Sequence, residues 1–182
     1  WVEATFRALD PEVRLDWRVA EGARTTPEQV VLQLEGRAAA LLSAERTALN
    51  FLQLLSAVAT KTAEHVALVA GTRARIVDTR KTLPGLRLAQ KYAVRCGGAT
   101  NHRIGLFDAI LIKENHIAAA GSLAAAVAAA RKAHPNLLLE VEVENFDELD
   151  QALAAGVDRV MLDEFAPEDL RSGMAYGVSK NF

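Results

Sequence analysis

The sequence predicts two joined units of different class, α+β over residues 1–71 and α/β over residues 72–182. Three observations predict this. Two stretches near the start, 13–19 and 30–34, alternate apolar with polar residues, the period of a half-buried strand. A long apolar stretch with helical spacing and few charges follows them. Beyond Gly71, short apolar runs alternate with helical patterns, the rhythm of a parallel sheet or a barrel.

Taken in order, residues 1–9 read as a short helix that Asp10-Pro11 ends. Val13, Leu15, Trp17 and Val19 then alternate with Arg14, Asp16 and Arg18. Glu21-Gly22 and Thr26-Pro27 are turns, and Val30, Leu32 and Leu34 repeat the alternation before Glu35-Gly36. The first forty residues are thus a small β-rich unit of antiparallel strands. Ser43 is placed as an N-cap, because its hydroxyl can accept from a first-turn amide. The helix it opens, 44–59, carries Ala48, Leu52, Leu55 and Ala59 on one stripe, suited to burial between layers or subunits. A second helix covers 61–70 and stops at Gly71.

The second unit begins with a strand over 74–79. A helix follows from Pro84-Gly85 to about Arg95, where Gly97-Gly98 breaks it. Ala-Ile-Leu-Ile within 108–113 is a buried strand. Residues 122–133 are Ala-rich and helical by propensity, and Pro135 ends them. A strand over 137–144 precedes helix 146–154, capped by Asn145 and closed by Gly156. A last strand covers 159–163. This gives four barrel or sheet strands, at 74–79, 108–113, 137–143 and 159–163. Periodicity alone leaves a barrel and an open doubly wound sheet equally available. No Gly-x-Gly-x-x-Gly follows the first strand, so nothing favours a dinucleotide fold.

Composition narrows the function classes. The chain has 182 residues, 51% of them apolar, enough for a real core. A formal net charge of −2 lacks the basic excess of most nucleic-acid binders. No run of apolar residues is long enough for a membrane span, and no signal-peptide pattern opens the sequence. The lone Cys96 cannot form an internal disulfide. It reads as a small buried hydrophobe in a reducing, cytoplasmic setting. Ser43, Ser56 and Ser122 sit at helix positions without a nucleophile-elbow pattern, which argues against a serine hydrolase. His65 and His134 read as surface residues, and no Cys/His spacing suits zinc.

The chemistry-bearing residues gather at the C-terminal ends of the expected strands, where ligands sit in barrels and open parallel sheets. They are Asp78-Thr79-Arg80-Lys81-Thr82, His102-Arg103, Lys113-Glu114-Asn115-His116, Glu140 and Glu142, and Asp163-Glu164. In the 137–144 strand, Leu137, Leu139, Val141 and Val143 face one side. Leu138, Glu140, Glu142 and Glu144 face the other. Carboxylates on one face need cations, metal or water, and Arg80, Lys81, Arg103 and Lys113 are the cations expected opposite them. Such a cluster suits an anionic substrate with a hydroxyl-rich or metal-bound part. A non-catalytic anion-binding domain is the other reading.

Six ordered motifs carry a family resemblance. They are Glu45-Arg46-Thr47-Ala48-Leu49-Asn50, then Asp78 through Arg87, then Lys91-Tyr92-Ala93 with Gly97-Gly98 and Asn101-His102-Arg103-Ile104-Gly105-Leu106. Ile112-Lys113-Glu114-Asn115-His116, Glu140-Val141-Glu142-Val143 and Met161-Leu162-Asp163 complete the set. Together they resemble the quinolinate phosphoribosyltransferases. The resemblance implies a small N-terminal β-sandwich-like domain followed by an incomplete α/β barrel, truncated at both ends relative to the family. It implies transfer of the phosphoribosyl group of 5-phosphoribosyl 1-diphosphate to quinolinate with magnesium (Mg2+). The products are nicotinate mononucleotide, diphosphate and carbon dioxide. It also implies a homodimer or a higher homo-oligomer of dimers.

By the same resemblance, Arg80, His102, Arg103 and Lys113 meet the quinolinate carboxylates, and Arg46 reaches in from the neighbouring subunit. Thr79 and Lys81 lie beside them. Glu142 and Asp163 meet the ribose hydroxyls and the magnesium–diphosphate, and Glu140 supports them. Lys113, Glu142 and Asp163 are the catalytic set. Two departures stand out. Glu164 follows Asp163 where the family usually carries Asn. After Leu170 the chain runs Arg171 to Phe182 where the family continues with further βα units and a glycine-rich phosphate loop, for which Ser172-Gly173 is a weak match. A truncated or non-catalytic paralogue, or a transferase acting on another pyridine, is therefore the alternative.

Overall fold

A computed structural model describes residues 1–179. Its packing divides the chain into Trp1–Ile104 and a unit that begins at Gly105. Among the described residues no helix is long and apolar enough to cross a membrane.

The first unit opens with α1 (Val2–Leu9), whose Val2 and Phe6 are buried. Strands β1 (Arg14–Trp17) and β2 (Leu32–Glu35) pair antiparallel, with Arg14 opposite Glu35 and Trp17 opposite Leu32. Helix α2 (Ala38–Leu68) runs for 31 residues. Val2, Phe6, Val13, Ala44 and Ala48 form the buried core here, flanked by Leu15, Leu32, Leu34, Leu41 and Leu52. The small Ala44 and Ala48, one turn apart, let α2 approach the ribbon and α1 closely. The sandwich expected from the resemblance is, among the described residues, one two-stranded ribbon on two helices.

Two expectations fail in this region. Ser43 is not an N-cap, because α2 starts at Ala38 with Arg37 at its cap position. Nor do 44–59 and 61–70 form two helices. No glycine or proline interrupts 38–68, so nothing stops propagation once the first turn has formed.

Helix α3 (Arg87–Cys96) follows, with Ala89, Lys91 and Ala93 buried. Its C-cap, Gly97, presses on α2. A Cβ there would lie 2.5 Å from the Ala59 carbonyl oxygen and 2.6 Å from Thr62 Cβ. By packing, residues 72–104 group with the first unit. The expected strand over 74–79 is reduced to a single parallel bridge between Val77 and Thr100. Val77 is 51% exposed, so the segment lacks the buried face that would extend its pairing. Cys96 is half-buried rather than buried, with Sγ 3.8 Å from Glu21 Oε1.

The second unit is built on β3 (Ala109–Ile112), β4 (Leu138–Val143) and β5 (Arg159–Leu162), parallel and in the order β3-β4-β5. Helix α4 (Glu114–Ala120) and helix α5 (Leu123–Ala133) connect β3 to β4, and α6 (Phe146–Ala154) connects β4 to β5. Ser122 caps α5 by accepting from Ala125 N, and Asn145 caps α6 by accepting from Glu148 N. Gly156 (φ +67) closes α6 in the left-handed region. Leu139, Val141 and Val143 are wholly buried against Leu123, Val127, Leu149 and Ala152. Each such side chain contributes about 1.5–3 kcal/mol by leaving water. The mixed α/β class and the parallel sheet agree with the sequence reading, with three strands and one bridge in place of four strands.

Helices α4 and α7 (Pro167–Ser179) were not anticipated. Ser172 and Gly173, weakly matched to a phosphate loop, lie inside α7. Gly173 is buried there, and a Cβ on it would meet Leu162, Leu149 and Phe146. It is a packing glycine. Lys180, Asn181 and Phe182 lie outside the described residues.

Candidate functional site

Each unit holds its own group of candidate residues. In the first unit the centre is Asp78. Its Oδ1 accepts from Lys91 Nζ at 2.5 Å and from the His102 backbone N at 2.8 Å. Its Oδ2 accepts from Asn101 Nδ2 at 2.6 Å. Asn101 Nδ2 also donates to the Lys91 carbonyl, and Lys91 Nζ donates to the His102 carbonyl at 3.1 Å. Beside this, Thr100 N donates to Ile76 O and Asp78 N to Thr100 O. The segments carrying Thr79-Arg80-Lys81 and His102-Arg103 are therefore tied to each other backbone to backbone.

Local turns finish the first segment. Thr79 Oγ1 accepts from Lys81 N at 3.0 Å, and the Arg80 carbonyl accepts from Thr82 N. Arg87, from the first turn of α3, donates to the Arg80 carbonyl at 3.4 Å and to the Ile104 carbonyl at 3.3 Å. Arg80 is half-buried, and its Nε is a buried donor without a hydrogen-bond partner. A buried guanidinium nitrogen left unmet is costly and suits an anionic acceptor. Thr79 and Lys81 are exposed, His102 and Arg103 half-buried, and Arg46 exposed on α2.

In the second unit the groups line the C-terminal edge of the parallel sheet. Lys113 directly follows β3, Glu142 lies near the end of β4, and Asp163 directly follows β5. Lys113 Nζ donates to both Glu142 oxygens, at 2.7 and 2.6 Å. Glu142 is 8% exposed. Hydrogen bonding to Glu142 holds the Lys113 ammonium above its ordinary value against the opposing cost of burial. The charges of Glu142, Glu114 and Asp163 add to the rise. The ion pair thus favours the charged form of Lys113. Asp163 N donates to Val143 O at 2.9 Å, and the side chain is exposed.

Glu140, 3% exposed, stands opposite Arg159 in the β4–β5 register, and its Oε2 lies 3.5 Å from Arg159 Nη1. Of the cations expected to face the strand carboxylates, Lys113 does so. Arg159 is a partner that sequence reasoning missed. The strand alternation itself holds through Val143, but Glu144 is exposed and lies beyond the strand end. His116 Nδ1 accepts from Lys113 N at 3.0 Å, so this histidine caps α4. His65 and His134 are exposed, as expected.

Lys91 and Arg87 stand in the motifs, but sequence reasoning gave them no role. They stand four residues apart on a helix whose pattern was legible, but nothing in the sequence marks Lys91 as 3% exposed.

Comparison with known proteins covers both units. The family model for the quinolinate phosphoribosyl transferase N-terminal domain matches residues 1–56, and that for the C-terminal domain matches 58–181. The chain is 45% identical over 171 residues to the probable carboxylating nicotinate-nucleotide pyrophosphorylase of Bacillus subtilis. It is 51% identical over 152 residues to the carboxylating nicotinate-nucleotide pyrophosphorylase of Mycobacterium leprae. These matches take in 93% and 84% of this chain but 59% and 54% of the relatives. The nicotinate-nucleotide pyrophosphorylase structure from Francisella tularensis superposes with a TM-score of 0.94 at 47% identity, covering 98% of this chain and 64% of that one. The NadC structure from Streptococcus pyogenes gives 0.92 at 43% identity, with the same coverage. The chain thus spans somewhat over half the length of the curated relatives it matches. With both domain models matched in order, and Arg80, His102, Arg103, Lys113, Glu142 and Asp163 held in the two groups just described, the chain belongs to the quinolinate phosphoribosyltransferase family.

Proposed function

We propose that this chain takes part in phosphoribosyl transfer from 5-phosphoribosyl 1-diphosphate to quinolinate, with decarboxylation to nicotinate mononucleotide, diphosphate and carbon dioxide. The observation that carries this reading is the bonded frame around Asp78, which delivers Arg80 and His102-Arg103 from two adjacent segments. A pyridine dicarboxylate needs several directed cations, and guanidinium forks match carboxylates. Arg80, His102, Arg103 and Lys113 supply that charge, with Thr79 and Lys81 beside them. Arg46, exposed on α2, would serve a partner copy in a homodimer or higher assembly. The incomplete α/β barrel is the architecture this reading assumes for the parallel sheet, and the cytoplasm its compartment.

The chemistry asked of the residues is positioning and charge stabilisation. As diphosphate leaves the ribose C1, positive charge grows on the ring, which the Glu142 and Asp163 carboxylates favour. The pyridine nitrogen then bonds to C1 and becomes cationic. The carbon–carboxylate bond beside it breaks with its electron pair left on the ring carbon, which that cationic nitrogen stabilises, and a proton replaces the carbon dioxide lost. Lys113 stays protonated throughout and orients Glu142.

Among the described residues no three His, Cys, Asp or Glu side chains converge as a metal cage. Glu142 and Asp163 are oxygen donors of the kind magnesium takes, and would reach an ion carried by the diphosphate directly or through water. When bound, the ion neutralises charge on the leaving diphosphate.

Calorimetry with quinolinate tests the cationic pocket. Arg103→Ala and Lys113→Ala should each weaken binding by about tenfold or more. Unchanged affinity in both variants would sink this reading. A preference for nicotinate over quinolinate would move it to another pyridine, and binding without turnover of the two substrates would favour a non-catalytic paralogue.

A further inference from the structure

We propose that Lys91 and Arg87 are positioning residues: from one face of α3 they hold the segment carrying Thr79 and Arg80 against the segment carrying His102 and Arg103, and so set the spacing of the anion-binding cations. The ligand in this inference rests on the function proposed above; the geometry does not.

Residues four apart share a helix face. Lys91 uses that face to bond Asp78 and the His102 carbonyl, while Arg87 uses it to bond the Arg80 and Ile104 carbonyls. Each residue thus contacts both segments. The Lys91 and Asp78 side chains are only 4% and 9% exposed.

Stability alone does not account for such a pair. Taking two charges out of water is costly, and a well-packed apolar pair of similar volume is often as stable or more so. An apolar pair cannot bond the N–H and the C=O of His102 at once, as Asp78 and Lys91 do. What the charges add is direction. The Asn101 amide takes the other Asp78 oxygen, so both are engaged within the frame. Arg80, two residues along, retains a buried Nε that no protein group meets. A dicarboxylate arriving there does not have to displace Asp78.

The test uses the full chain with Asp78→Asn and Lys91→Met combined, which removes both charges at similar volume. Two quantities are read: amide hydrogen exchange at His102 and quinolinate affinity by calorimetry. The expected result is His102 exchange about tenfold faster and a Kd about tenfold higher, with amide protection in α2 unchanged. A folded double variant with unchanged His102 exchange, or with unchanged Kd, overturns the proposal. Should the double variant fail to fold, Asp78→Asn alone and Arg87→Met alone are read in the same way, with the same expected and overturning results. A wild-type chain that binds no quinolinate would defeat the functional reading instead, and His102 exchange would still decide the role of Lys91.

Discussion

Lys113 and Glu142 form a two-pronged ion pair across the ends of β3 and β4, with Nζ 2.7 Å from one carboxylate oxygen and 2.6 Å from the other. The parallel register makes it inevitable. Ile112 stands opposite Val141, so the next residue on each strand, Lys113 and Glu142, meets on the same face. Lys113 is 40% exposed and Glu142 is 8% exposed, so the lysine neutralises a carboxylate that water hardly reaches.

Removing one partner should therefore cost more than removing both. Lys113→Ala leaves the Glu142 charge nearly dry and should lower stability by about 1–2 kcal/mol, less than for a fully buried pair because Lys113 is half-exposed. Combining Lys113→Met with Glu142→Gln should restore most of that loss in urea unfolding, without restoring the quinolinate affinity that the proposed function expects Lys113→Ala to lose. Equal loss of stability in the single and double variants would contradict the pairing.

Lys113 should remain charged across the working pH range. Its folded value is raised above 10.5, so the pair's stabilisation is complete below 10.5 and is lost as pH rises through the folded value. NMR titration of Nζ should show no Lys113 transition below about pH 10. Any basic limb of an activity profile must then come from another group.

Asp158 should give an acid-side signature. Its Oδ1 lies 2.9 Å from Arg131 Nη2, and its Oδ2 accepts from Leu139 N at 2.7 Å. The Arg131 bond, then the Leu139 bond, hold its carboxyl below the ordinary value of 3.8. Its stabilisation is present above 3.8 and is lost as pH falls through the lower folded value. Wild-type stability should fall in that window more steeply than that of Asp158→Asn. The difference is expected to be under about 1 kcal/mol, because the pair is partly screened by water.

Glu164 occupies the left-handed region at φ +58, at the turn after β5. Side chains with a Cβ are strained there by about 1–2 kcal/mol, and Asn is among the residues that tolerate it best. Glu164→Asn should raise the thermal midpoint by a few degrees, read by calorimetry, without loss of quinolinate binding. A lowered midpoint would mean that Glu164 makes an offsetting contact.

Much of this chain is readable from residue order. The alternation in 13–19 and 30–34 has one face apolar, so the ribbon and its antiparallel pairing follow. The run Leu139, Val141 and Val143 had to be buried, and that placed Glu140 and Glu142 together on the other face. The Asn145 cap, the Gly156 stop and the short apolar strands are local signals, set by neighbours a few residues away. The candidate site residues were legible as residue types near expected strand ends, and their motifs carried the family.

Tertiary structure decided what depends on partners distant in sequence. The 74–79 segment has strand composition, but it found one bridging neighbour, Thr100, and no buried face to extend it. Helix α2 packs against both α1 and α3, and Ser43 is an interior residue of it. Asp78, Asn101 and Lys91 stand within the family motifs, but their order in the sequence does not say that they meet. Folding brings them within hydrogen-bond distance, where burial makes each unmet bond costly and so makes their arrangement specific. Sequence alone determined which charges this protein carries and at which strand ends. Only the packing of α3 on α2, and the register of β3 on β4, decided which charges meet one another.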